Sequence, residues 1–190
     1  SENCLEALPL LEKLSNNKNG DQLAYLMEYG IALQICGDYS KSNSVLSAAD
    51  SLADEIDYTS VSQAAGATLL NEEMVSYKGD TFEKIFLNAI KALNYLQLNQ
   101  PDSALVEVRK MNQKYTKFKN ENKKNFELNS FAKYLSGLIW ESTFHLDDAC
   151  IDYKDAYFID TKYRAVGQQM LNTCWAAERY DEFNSLAKKM

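Results

Sequence analysis

Residues 23–54 read LAYLMEYGIALQICGDYSKSNSVLSAADSLAD. Apolar side chains recur at three- and four-residue spacing on both sides of Gly37-Asp38-Tyr39, so the stretch predicts two helices joined by a tight turn. Gly30 in the first helix and Ser42 and Ala49 in the second are small, while Leu33 and Leu46 beside them are large. Small residues let two helix backbones approach, and large ones fill the gap to the neighbouring layer. Residues 131–160, FAKYLSGLIWESTFHLDDACIDYKDAYFID, place Gly137, Trp140, Ala149, Tyr153 and Ala156 at the same offsets. In both stretches the second small residue lies twelve positions after the first.

Two looser copies extend the pattern. Residues 85–112 carry Ala92, Tyr95, Ala104 and Val108, with Met111 where the others have a small residue. Residues 164–190 carry Cys174, Tyr180 and Ala187, with Phe183 in the small position. The four segments together resemble the tetratricopeptide repeat, an antiparallel helix pair with this order of small and large positions. That resemblance implies an all-α fold: a single domain over 1–190, built as a right-handed superhelix of about four irregular pairs, with about ten helices.

The markers Ser42, Ala104, Ala149 and Phe183 are separated by 62, 45 and 34 residues. The first interval has room for an extra helix over 58–75, where Ala64, Ala65, Ala67, Leu69 and Leu70 fall. The second is lengthened by the polar stretch from Lys117 to Asn125. An N-terminal segment over 2–14, apolar at Leu5, Leu8, Leu10, Leu11 and Leu14, predicts an amphipathic helix suited to capping an open end. Pro101-Asp102-Ser103 predicts a helix start, as does Asp80 followed three residues later by Glu83.

Composition agrees and narrows the function. Only 7 Gly and 2 Pro interrupt 190 residues, too few for a many-stranded β fold. The formal net charge of −7 argues against a nucleic-acid partner, and the basic run from Lys114 to Lys124 is diluted by Asn and Glu121. No apolar run is long enough to span a membrane, and the chain opens without a basic-then-apolar leader. Ser1-Glu2-Asn3 is not the small-residue context that precedes a lipidated cysteine, so no anchor is expected on Cys4. Cys4, Cys36, Cys150 and Cys174 are scattered without a CxxC pair, which excludes a cysteine-rich zinc site. Cys36, Cys150 and Cys174 fall at apolar helical positions and are expected as buried thiols, with the redox compartment left open.

A second resemblance is carried by Tyr77-Lys78-Gly79-Asp80-Thr81-Phe82-Glu83-Lys84, Ala92-Leu93-Asn94-Tyr95-Leu96, Ala104-Leu105-Val106-Glu107-Val108-Arg109, and Tyr134-Leu135-Ser136-Gly137 with Asp148-Ala149 and Tyr153. These stretches resemble a family of uncharacterised bacterial tetratricopeptide-like proteins of the cell envelope, many of them predicted lipoproteins. The resemblance implies a non-enzymatic protein, periplasmic or anchored to the outer membrane through a lipid upstream of these residues. A cytoplasmic location is the alternative.

Catalytic chemistry lacks its parts. His145 is the one histidine, there is no Gly-rich phosphate loop, and no cofactor or metal is expected. Glu72, Glu73, Asp80 and Glu83 beside Tyr77 read as capping and solvated charge. His145 reads as an exposed or capping imidazole, and Glu107 with Arg109 as a surface ion pair. Binding is better supported. In the repeat family, defined positions of each first helix line a concave groove. Here they are Met27, Ile31, Gln34 and Ile35, then Phe86, Ala89, Leu93 and Leu96. The later pairs supply Phe131, Tyr134, Leu138 and Glu141, then Gln168, Asn172 and Trp175. This apolar and aromatic surface implies a protein or peptide partner, with a small-molecule or lipid-binding helical receptor as the alternative. The groove is also open to filling by the chain's own helices over 2–14 or 58–75.

Overall fold

The computed structural model describes residues 2–65, 77–120, 130–162 and 164–189. Among them every regular element is a helix: α1 (Glu2–Ser15), α2 (Gln22–Ile35), α3 (Tyr39–Ala65), α4 (Thr81–Gln97), α5 (Pro101–Asn120), α6 (Ser130–Ser142), α7 (Leu146–Ile159), α8 (Arg164–Ala176) and α9 (Tyr180–Ala187). The chain divides into two compact units, Ser1–Asn99 and Gln100–Met190. α1 to α4 belong to the first and α5 to α9 to the second.

The first-to-second helix turns show the repeat most directly. Gly37, Asn99, Phe144 and Glu178 all have positive φ, at 87°, 57°, 60° and 58°, and each follows α2, α4, α6 or α8 by a residue or two. Each stands five residues before one of the markers Ser42, Ala104, Ala149 and Phe183. After α2, Asp38 N–H donates to the Leu33 carbonyl at 2.9 Å and Gly37 N–H to Gln34 at 3.0 Å. After α6, His145 N–H reaches Trp140 at 2.9 Å and Phe144 N–H reaches Glu141 at 3.0 Å; after α8, Arg179 and Glu178 reach Cys174 and Trp175, both at 3.0 Å. This paired closure satisfies the carbonyls a helix end leaves open and turns the chain back on itself. The turns after α2, α6 and α8 are therefore closed alike despite the uneven intervals between them.

The small positions sit at close helix approaches. A Cβ added at Gly137 would lie 2.6 Å from Tyr153 Cδ1, and one at Gly30 would run into the Leu46 side chain. Ala49, Ala149 and Ala156 are wholly buried. In the N-terminal unit Leu23, Met27, Leu46, Ala49, Ala53, Leu87 and Ile90 form one apolar cluster from α2, α3 and α4. Burying a side chain such as Leu46 contributes about 2 kcal/mol.

Two expectations are corrected. No separate helix begins at residue 58: residues 39–65 contain neither Gly nor Pro, so α3 runs on unbroken to Ala65, and residues 66–75 lie outside the described residues. Nor are the cysteines buried thiols. Cys4 pairs with Cys36 across a sequence separation of 32, and Cys150 with Cys174 across 24. Antiparallel packing brings the Cα atoms of each pair to 5.9 Å and 4.8 Å, within bridging range. The first bridge fastens α1 to the end of α2, and the second fastens α7 to α8 inside the C-terminal unit.

Candidate functional site

Three of the predicted groove residues meet in the N-terminal unit. Met27 and Ile31 on α2 and Phe86 on α4 line a pocket of about 190 Å³, together with Ala24, Tyr77, Phe82, Leu87 and Ile90. The capping of α4 sets this wall. Glu83 accepts the Asp80 N–H at 2.6 Å and also the Tyr77 hydroxyl, while Tyr77 N–H donates to the Gly20 carbonyl at 2.7 Å. With α4 starting at Thr81, Phe82 and Phe86 fall one turn apart on the same face, their ring centroids 5.3 Å apart. Burial first, and Glu83 second, push the Tyr77 hydroxyl well above its usual pKa, so it remains a donor at any ordinary pH.

The pocket is apolar with an acidic rim. Glu28 and Glu83 are its charged lining residues, and Glu83 is committed to the cap. Phe82 is 41% exposed and Ile31 36% exposed, whereas Met27 also belongs to the core cluster beneath. Gln34 and Leu93 are half-buried outside this lining, and Ile35 projects into solvent. Among the described residues none of α1 lines the pocket; α1 is held by its disulfide and by Glu12, which pairs with Lys41 at 3.0 Å.

The predicted residues of the C-terminal unit are arranged differently. Phe131 and Leu138 are exposed on α6. Tyr134 is half-buried against Tyr153, with ring centroids 5.7 Å apart. Glu141 is a strut: it accepts the Tyr153 hydroxyl at 2.6 Å and the Gln169 amide at 2.7 and 2.8 Å, tying α6, α7 and α8 together. Gln168 and Asn172 are exposed and bonded to each other at 3.0 Å. Trp175 is 53% exposed and packs edge-on against Tyr180 and Phe183 of α9.

A second, polar cleft of about 490 Å³ lies between α5, α6 and α7, lined by Arg109, Asn112, Gln113, Thr116, Trp140, Asp148, Ile151 and Asp152. Its floor is a buried network. Asp152 accepts from Lys133 at 2.6 Å, Asn112 at 3.0 Å, the Trp140 indole at 3.1 Å and the Ser136 hydroxyl. Lys133 also reaches Asn112 at 2.9 Å and Asp155 at 3.2 Å. Nearby, burial together with Asp155 and Asp152 pushes the Tyr115 hydroxyl up to about 12. Above the floor, the Arg109 guanidinium lies 5.4 Å from the Trp140 ring centroid.

The remaining candidates are placed as follows. Glu72 and Glu73 lie outside the described residues. Glu107 is buried and paired with Lys110 at 2.9 Å, while Arg109, two residues on, faces the cleft. His145 is exposed, its ring tilted against Trp140 with centroids 5.4 Å apart, and its Nδ1 lies 2.9 Å from the Thr143 carbonyl. Among the described residues no three His, Cys, Asp or Glu side chains are grouped to hold a metal ion, and no helix is long and apolar enough to cross a membrane.

Sequence reasoning missed Phe82, because it precedes the repeat register; the Asp80–Glu83 start signal was the cue that places it on the Phe86 face. It also missed Asn112, Lys133 and Asp152, whose charge or polarity reads as surface.

No protein-family model matches the chain, and no curated protein does. Solved structures do. MamA 41-end from Desulfovibrio magneticus RS-1 superposes with a TM-score of 0.57 at 16% identity, over 98% of this chain and 82% of that one. MamA from AMB-1 gives 0.57 at 17% identity, over 99% of this chain and 88% of that one. The Rap conjugation gene regulator of plasmid pLS20, in complex with the Phr* peptide, gives 0.53 at 12% identity, over 98% of this chain and 47% of that one. At these identities the likeness is one of fold, and the fold is that of a tetratricopeptide-like helical repeat protein.

Proposed function

We propose that this chain is a non-catalytic binding protein that holds an apolar segment of a partner protein or peptide in the α2/α4 groove. The observation that carries the reading is the exposed pair Ile31 and Phe82, with half-buried Phe86 beside them, over a pocket whose floor is the core residues Met27, Leu87 and Ile90. Exposed aromatic side chains at the mouth of a preformed apolar pocket are what binding hot spots are made of. The Rap structure, a neighbour in fold, is a complex with a peptide, which supports a peptide-sized partner. Glu28 at the rim and the net charge of −7 favour Lys or Arg flanking the partner's apolar anchors. A pocket of about 190 Å³ admits one or two side chains, and is small for the lipid or drug-sized ligand of the alternative reading.

The two disulfides support an oxidising compartment, hence the periplasm or the outer membrane surface. Alkylating the protein as it leaves the cell, without reductant, tests this: all four cysteines resist if it resides there and react if it is cytosolic. For the groove, random peptides displayed on phage are selected on the immobilised chain. Enriched peptides carry a large apolar or aromatic residue beside a basic one and lose at least roughly tenfold in affinity against Phe82→Ser. Peptides that bind Phe82→Ser and Ile31→Ser as tightly as the parent overturn the assignment.

A further inference from the structure

The polar cleft of the C-terminal unit carries an unspent pair of charges. Asp152 on its floor is saturated by four donors and offset by Lys133, so it offers nothing to a ligand. Asn112 is likewise committed, donating to Ser136 and Asp152 and accepting from Lys133. Arg109 differs. Its contact is the Trp140 ring at 5.4 Å, and it meets no carboxylate among the described residues. Trp140 is itself fixed, buried and with its indole N–H bound to Asp152 at 3.1 Å. The guanidinium is thus pre-positioned with its planar donor edge unspent. One and two turns along α5, Gln113 and Thr116 add an amide and a hydroxyl; the Thr116 hydroxyl donates to the Asn112 carbonyl at 2.9 Å, leaving its oxygen free to accept. Across the cleft α7 supplies the exposed carboxylate of Asp148 and the exposed side chain of Ile151.

One cation facing one anion, with amide and hydroxyl groups between, complements a zwitterion. We propose that this cleft binds the charged ends of an amino acid or short peptide, its carboxylate against Arg109 and its ammonium against Asp148. The site belongs to the C-terminal unit and stands independently of the groove on α2 and α4.

The test titrates the isotopically labelled full chain with L-alanyl-L-alanine, L-alanine, the dipeptide C-terminal amide and the N-acetylated dipeptide, following the Trp140 indole N–H. A saturable shift is expected with the free dipeptide or the amino acid, and whichever binds tighter identifies the source of the zwitterion. The amide and the acetylated form should each bind at least roughly tenfold more weakly. Arg109→Gln should erase the preference over the amide, and Asp148→Asn the preference over the acetylated form. Arg109→Lys, which keeps the charge but not the fork, should fall between. Both side chains are exposed, so the variants should melt with the parent, and Phe82→Ser should bind these probes unchanged. Absence of a saturable shift, equal binding of the blocked forms, or an Arg109→Gln variant that keeps the preference overturns the proposal.

Discussion

The pairs α2/α3 and α6/α7 hold the same geometry with different chemistry. Each places a glycine of its first helix under a large side chain of its second, Gly30 under Leu46 and Gly137 under Tyr153. In α2/α3 the polar supplement is local: the Ser42 hydroxyl donates to the Gly30 carbonyl at 2.7 Å and accepts from Asn94 at 2.8 Å. In α6/α7 Tyr153 reaches out to Glu141, and the next residue inward is the charged Asp152 with its four donors. The repeat thus preserves helix approach and turn shape, while the side chains that satisfy buried polarity are free to diverge. Between its two helices α6/α7 thus carries a buried ion pair where α2/α3 carries a hydroxyl, while the acids of α3, Asp50 and Asp57, pair with the buried Lys91 and Lys84 of α4.

The largest expected effect breaks that contrast open. Asp152→Ala strands the buried Lys133 ammonium with only the half-exposed Asp155 as acid partner, and should cost about 3 kcal/mol in urea unfolding. Ser42→Ala removes one neutral hydroxyl and should cost about 1 kcal/mol. Equal losses would mean that the two regions are not held differently.

Overpacking comes next. Gly137→Ala drives a methyl into the rigid, fully buried Tyr153 ring and should cost about 2 kcal/mol, whereas Gly30→Ala meets a Leu46 side chain that has rotamers to use and should cost about 1 kcal/mol. Thermal melts of the two variants decide the order.

The turns then give effects of opposite sign. Gly37 adopts φ 87° at no steric cost, so Gly37→Ala should destabilise by about 1 kcal/mol. Phe144 holds φ 60° while 89% exposed, with nothing gained from burial, so Phe144→Gly should stabilise by up to about 1 kcal/mol. A loss of stability in Phe144→Gly would show that the ring does more than the accessible surface indicates.

The smallest effect is electrostatic. Burial opposes ionisation of Glu182, but Lys154 and Arg179 outweigh it and hold the carboxyl below its ordinary value of 4.5. The folded state therefore favours the carboxylate, a contribution present above that value and lost as pH falls through the lowered one. Between pH 7 and pH 3 the parent should lose slightly more stability than Glu182→Gln, by a few tenths of a kcal/mol at this half-exposed site.

Much of the fold was legible because small residues at fixed offsets and breakers at turns are local signals. Gly30, Gly137, Ala149 and the Asp80–Glu83 start all stood where their spacing placed them. What stayed hidden depended on which faces meet in three dimensions. A cysteine on an apolar face reads the same whether bridged or free, so Cys150 gave no sign of Cys174. Lys133 and Asp152 read as solvated until α5, α6 and α7 close over them. Of the residues lining the α2/α4 pocket, Met27, Ile31 and Phe86 were named from the repeat family's groove positions, whereas Phe82 needed the helix start as well. Glu141 was read as groove charge because its reach to Tyr153 and Gln169 is a tertiary fact.

The central claim is that the partner sits on α2 and α4, not on the exposed residues of α6 and α8. The direct measurement is calorimetric titration of the tightest phage-selected peptide into four proteins: the parent, Phe82→Ser, Phe131→Ser and Trp175→Ser. Phe82→Ser should lose at least about 1.4 kcal/mol of binding, with the other two within a few tenths of the parent, at both low and high salt. Undiminished binding to Phe82→Ser, with loss in Phe131→Ser or Trp175→Ser, would contradict the account and move the site to the C-terminal unit.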